Sequence, residues 1–138
     1  KKNIENFLKN YNPKQHFLIC QTYNRFLSIN NFEFEVFAGG AAFFISNTLM
    51  KKINKITDNF NEEWLNLYHN GLLPESCYAC GDISMSYLVK KYFDVNLTHC
   101  DRMFSQNPSF YQNIQNPLSF HYISAHEMQS IYDKYSYL

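Results

Sequence analysis

The sequence predicts an α/β domain, and three stretches carry that expectation. Phe32–Ala38 reads FEFEVFA, apolar and acidic residues in alternation, which is the period of a half-buried strand with Glu33 and Glu35 on its wet face. Ala42, Ile45, Leu49, Ile53 and Ile56 fall at helical spacing and predict a helix over Ala41–Ile56. His16–Cys20 reads HFLIC, a short apolar run of the buried-strand type. Strand-type and helix-type stretches alternate along the chain, which is the order of an α/β protein.

Taken in order, Asn3–Tyr11 reads as a helix with Ile4, Phe7 and Leu8 on one face, stopped by Asn12-Pro13. The HFLIC strand follows, and Gln21–Asn31 reads as a polar loop. After the alternating strand comes FAGGAAFFIS, Phe37–Ser46, whose Gly39 and Gly40 let the backbone turn where a side chain would clash. Beyond the Ala41–Ile56 helix, a short helix is expected around Trp64, within Asp58–Asn70. Gly71–Gly81 reads as a loop holding Pro74, Cys77 and Cys80. Asp82 stands where an N-cap is expected, ahead of a helix from Ile83 to Phe93. Val95–Thr98 reads as a short strand and Asp101–Asn116 as a long loop. Leu118–Ile123 alternates as a strand, and Ser124-x-x-Glu127 is a capping-box pattern that opens a last helix through Tyr135.

The 138 residues fit a single domain, and 46% hydrophobic with 18% aromatic residues supply a core. Twelve basic and twelve acidic residues balance to zero net charge, which argues against a nucleic-acid partner. Lys51, Lys52 and Lys55 read as the wet face of a helix. No apolar run has the length of a membrane span, and no signal-peptide pattern is present. The chain opens at Lys1-Lys2-Asn3-Ile4 without an initiator methionine and inside a helical pattern, so residues 1–138 read as the partial, C-terminal piece of a longer protein. Four cysteines, Cys20, Cys77, Cys80 and Cys100, fit disulfides of undetermined pairing or plain buried thiols. A zinc site of Cys77, Cys80, His99 and Cys100 has poor spacing in its second half. One sequon, Asn96-Leu97-Thr98, fits a secretory protein, although its place at a strand start disfavours modification. Asn107-Pro108-Ser109 is excluded by its proline.

Three blocks, in this order, carry a resemblance. They are FAGGAAFFIS; Gly81-Asp82-Ile83-Ser84-Met85 with a helix leading to Phe93-Asp94-Val95-Asn96-Leu97-Thr98; and Pro117-Leu118-Ser119-Phe120-His121-Tyr122-Ile123-Ser124. Together they resemble the fringe-like and core 1 β1,3-galactosyltransferases of glycosyltransferase family 31, over nearly the whole chain. The resemblance implies the C-terminal half of a GT-A-type fold, with a mixed sheet flanked by helices. It also implies inverting transfer from a UDP-sugar to a glycan or glycoprotein acceptor in the Golgi, by a protein anchored through an N-terminal membrane helix upstream of this chain. Asp82 matches the family's catalytic base, and backbone amides at a helix start favour an ionised carboxylate. Gly39, Gly40, Ala41 and Phe43 are then the wall of the acceptor pocket.

The family also implies manganese, for which carboxylates are suitable hard ligands. No Asp-x-Asp motif occurs in this chain, and the segment Phe104-Ser105-Gln106-Asn107 lacks the family's metal-binding histidine. Asn107 and His121 are the weak substitutes, and His99 lies nearby in sequence. Gly81 replaces the family's first acidic residue, and Ala42 a glycine of its Gly-Gly-Ala-Gly junction. On these departures the isolated chain is not expected to bind UDP-sugar productively. The alternative is a decayed, non-catalytic glycan- or partner-binding module of the same fold.

Overall fold

The apolar run at His16–Cys20 becomes the middle of the molecule. In the computed structural model, which describes residues 2–135, Leu18–Cys20 forms strand β1, with all three residues fully buried. It follows helix α1 (Lys2–Leu8) and a turn. A strand buried on both faces reads as continuous apolar sequence rather than alternation, which is why three residues suffice to mark it. β1 pairs antiparallel with β4 (Phe43–Ile45) and parallel with β5 (Leu97–His99), giving a mixed sheet of order β4-β1-β5.

Strand β2 (Thr22–Ile29) occupies most of the stretch read as a loop. It forms an antiparallel hairpin with β3 (Phe32–Phe37). The turn residues Asn30 and Asn31 both take positive φ, 49° and 61°, a pairing that asparagine tolerates and tight hairpins require. β2 escapes the alternation rule because only Thr22 and Ile29 are buried along it.

The predicted helix Ala41–Ile56 is corrected. Gly39–Ala41 is one 3-10 turn, β4 follows, and helix α2 spans only Asn47–Ile53. The apolar residues Ile45, Leu49 and Ile53 fit a helical period, but Ile45 pairs with Leu18 in the sheet. Ser46 then starts the helix, its Oγ accepting from the Leu49 N–H at 3.3 Å. Helix α3 (Thr57–His69) is longer than expected, and a single turn α4 (Glu75–Tyr78) sits within the predicted loop. Helix α5 (Gly81–Phe93) ends on Asp94, in the left-handed conformation at φ 48°. The predicted strand at Leu118–Ile123 shrinks to β7 (Ser119–Phe120), paired in parallel with β6 (Met103–Phe104). Helix α6 (Ala125–Tyr135) closes the described chain.

The larger apolar cluster lies between the hairpin and helices α2, α3 and α5. Tyr87 is at its centre, with the rings of Phe32 and Phe34 edge-on at 5.5 and 5.4 Å. Glu63 on α3 accepts from the Tyr87 hydroxyl at 2.7 Å, from Lys91 at 2.5 Å, and from the Tyr92 hydroxyl. Burial pushes the Glu63 carboxyl up, but the donors Lys91, Tyr92 and Tyr87 outweigh it and hold the group below its ordinary value. A smaller cluster of Ile19, Ala38, Ala41, Cys100 and Met103 lies on the other side of β1. All four cysteines are free thiols, and the disulfide reading is corrected. Cys20, Cys77 and Cys100 are buried and act as small apolar fillers.

Candidate active site

The junction Gly39-Gly40 holds a different side chain against each glycine. A Cβ on Gly39 would lie 2.9 Å from Asp82 Cβ, and one on Gly40 would lie 2.0 Å from His121 Cε1. Neither glycine leaves room for a methyl group. Asp82 from α5 and His121 from the segment after β7, distant in sequence, therefore flank the same two residues.

Asp82 is half-buried. Its Oδ2 accepts from the Gly39 N–H at 3.2 Å and its Oδ1 from the Ile83 N–H at 3.0 Å. The N-cap expectation is corrected: Cys80 occupies the cap, makes no side-chain cap bond, and Asp82 is the second residue of the helix. Its carboxylate bridges the two elements, with one oxygen on the Ile83 N–H of its own helix and the other on the Gly39 N–H of the junction. Each carboxylate oxygen carries a further lone pair, so Asp82 retains the capacity to accept a ligand hydroxyl.

A cleft of about 440 Å³ opens beside Asp82, with Tyr23 and Arg25 from β2, Phe37 from β3 and Cys80 among its lining. Burial pushes the Tyr23 phenol up, the Asp82 charge adds to this, and a Ser105 hydrogen bond partly opposes them. Tyr23 is therefore a neutral hydroxyl able to donate at neutral pH. Burial likewise raises the Cys80 thiol, with Asp82 and Cys77 adding to the effect, and its Sγ donates to the Ser76 carbonyl at 3.1 Å. A protonated thiol is a poor nucleophile.

The remaining candidates divide by position. Phe43 is exposed, with its ring edge-on to Phe37 at 5.4 Å, so it supports a lining residue. Ala41 is fully buried, and its carbonyl accepts from the Ser119 hydroxyl. Asn107 spends its amide on the loop. Its Nδ2 donates to the Tyr122 carbonyl at 3.0 Å and to Glu127 at 2.9 Å, while its Oδ1 accepts from the Ser109 N–H and hydroxyl. His121 lies beside the Tyr122 ring at 3.8 Å. His99 Nδ1 accepts from the Thr22 N–H at 3.2 Å, which places its proton on Nε2 in the neutral ring. Sequence reasoning missed Tyr23 and Arg25 because it read their strand as a loop. The Asn30-Asn31 pair before an alternating run was the signal for the hairpin that carries them.

Among the described residues, no group of three or more His, Cys, Asp and Glu side chains could hold a metal ion. The carboxylates, imidazoles and thiols of residues 2–135 therefore do not compose a metal site by themselves. No helix of the described residues is long and apolar enough to cross a membrane.

A mixed sheet flanked by helices defines an α/β protein, and the Asp82 carboxylate lines an open cleft on it. The Fringe-like family model matches residues 1–136, and the chain belongs to that family. Its members are glycosyltransferases of the GT-A-type fold that work in the secretory pathway. No curated protein and no solved structure matches the chain.

Proposed function

We propose that the chain is the acceptor side of an inverting β1,3-glycosyltransferase, with Asp82 as its base. The carrying observation is the Asp82 carboxylate, fixed by the Gly39 N–H at 3.2 Å and bordering the cleft. In this reading an acceptor hydroxyl lies in the cleft within hydrogen-bond reach of Asp82. Asp82 takes its proton as the oxygen attacks the anomeric carbon of a UDP-sugar. The bond from that carbon to the phosphate oxygen breaks on the opposite face, UDP leaves with the electron pair, and the configuration inverts. Tyr23 donates to the acceptor and Arg25 borders its path. Gly39 and Gly40 contribute shape, because their lack of side chains admits Asp82 and His121. The donor-side carboxylates of the family are not among these residues, so in this reading sequence outside them holds the metal and UDP in the Golgi enzyme.

The test is Asp82→Asn in the product of the whole gene, assayed for UDP release and sugar transfer against a panel of UDP-sugars and glycan acceptors. The substitution keeps the shape and removes the base, so kcat is expected to fall about 10²- to 10⁴-fold with acceptor KM little changed. Unchanged transfer sinks the assignment. The second reading, a non-catalytic glycan-binding module, is favoured by Gly81 standing in place of an acidic residue. It predicts glycan binding that Asp82→Asn leaves intact, with no UDP release by either protein.

A further inference from the structure

A second cleft, of about 390 Å³, lies between the hairpin and the segment that joins α5 to β5. Phe26, Glu33, Glu35, Lys90 and Asn96 line it. Phe26 pairs with Glu35 and Ser28 with Glu33 across the hairpin, which puts Phe26 and both carboxylates on one face. Phe26 is 59% exposed. Neither the Glu33 nor the Glu35 carboxylate accepts a hydrogen bond among the described residues, whereas Lys90 is held by Asp94 at 2.5 Å and donates to Asn96 Oδ1 at 2.9 Å.

An uncovered aromatic face beside two acceptor-only carboxylates suits a ligand with C–H bonds on one side and hydroxyl donors around its rim. A sugar ring has that form. Asn96 is itself exposed, its Nδ2 has no partner among the described residues, and it begins the chain's acceptor sequon Asn96-Leu97-Thr98. It precedes β5 rather than lying within it, so the objection drawn from a strand start loses its force.

We propose that Asn96 is N-glycosylated and that the first N-acetylglucosamine lies in this cleft, its apolar face on Phe26 and its hydroxyls donating to Glu33 and Glu35. The co-substrate is an oligosaccharide on a polyisoprenyl pyrophosphate. Asn96 Nδ2 bonds to the sugar's C1 and loses a proton, the bond from C1 to the phosphate oxygen breaks, and the lipid pyrophosphate leaves with the electron pair. The cleft is thereby a fixed rest for the protein's own glycan, separate from the cleft at Asp82. The proposal rests on the family's passage through the secretory pathway. Its test supplies that passage independently.

The full chain is secreted from eukaryotic cells behind an added signal sequence and digested with peptide N-glycosidase. One glycan is expected, released with conversion of Asn96 to aspartate, and lost in Asn96→Gln and Thr98→Ala. Secreted wild-type protein without a glycan, or with its only glycan elsewhere, overturns the proposal whatever the fate of the transferase reading. The seating of the sugar is read separately, on protein trimmed to a single N-acetylglucosamine by an endoglycosidase. Its Tm is expected to exceed that of Asn96→Gln, with slowed amide exchange over residues 32–36. Phe26→Ala is expected to keep the glycan and lose both effects. The same Tm difference and the same protection in Phe26→Ala would overturn the seating. Binding of a basic peptide by the glycan-free protein, with no sugar effect, would assign the carboxylates to a different partner.

Discussion

Ala42 takes φ 71° and ψ 172°, a backbone region that glycine enters freely and a residue with a Cβ enters only under strain. The position follows the 3-10 turn of Gly39–Ala41, and the Ala42 N–H still closes that turn on the Gly39 carbonyl at 3.1 Å. The resemblance placed a family glycine at this position, and the dihedral angles give the reason. Strain at such a site costs about 1–3 kcal/mol, and glycine returns part of the gain as extra freedom in the unfolded chain. Ala42→Gly is expected to stabilise the protein by about 1 kcal/mol, read as a higher denaturation midpoint at unchanged slope. At this scale the sequence revealed Gly39, Gly40 and Asp82, whose residue types are constrained by their surroundings. It did not reveal that Tyr23, an exposed tyrosine on a polar stretch, lines the same cleft as Asp82, because that depends on which elements fold together.

Among the elements, the last helix is legible from its capping-box pattern at Ser124, because such a cap is made by residues three apart in the chain. Its chemistry is one-sided. Ser124 N–H and hydroxyl both donate to Glu127 Oε2, at 2.9 and 2.6 Å, and Asn107 Nδ2 donates to Oε1. The Ser124 hydroxyl, the Ser124 N–H and Asn107 together pull the Glu127 carboxyl from its ordinary 4.5 down to about 2. A carboxyl depressed by folding contributes stability that is fully present above its unfolded pKa and is lost as pH falls through the folded one. The attachment of α6 to the Asn107 loop is therefore expected to be complete above pH of about 4.5 and to weaken as pH falls toward 2. A carbon-detected titration of Glu127, with amide exchange of α6 beside it, checks this. Glu127→Gln should leave α6 less protected at neutral pH and flatten its dependence over that window. The helix read over Ala41–Ile56 failed for the opposite reason. Its period was helical, but the pairing of β4 with β1 joins residues far apart in sequence, and such partners leave no mark in a local window.

For the whole molecule, the two glycines lie where two packed layers meet. Asp82 belongs to α5, whose Tyr87, Leu88 and Val89 belong to the larger apolar cluster. His121 follows β7, beside β6, whose Met103 belongs to the smaller one. The His121 N–H donates to the Phe104 carbonyl at 3.0 Å, so its backbone is held while its ring covers Gly40. Adding a methyl at Gly40 must move that ring, because a heavy-atom separation of 2.0 Å is not tolerated. Overpacking of this kind costs about 1–3 kcal/mol. Gly40→Ala is expected to destabilise within that range, and the loss should shrink when His121→Ala is already present. The double-mutant cycle measures that coupling directly. If Gly40→Ala costs the same in both backgrounds, the contact between His121 and the junction is not what holds the layers in register. If the coupling appears, the same pair supplies a further test at the cleft. On the proposed transferase reading, Gly40→Ala in the product of the whole gene is expected to lower glycosyl transfer and His121→Ala to restore it, because Asp82 is held by Gly39 and not by the histidine.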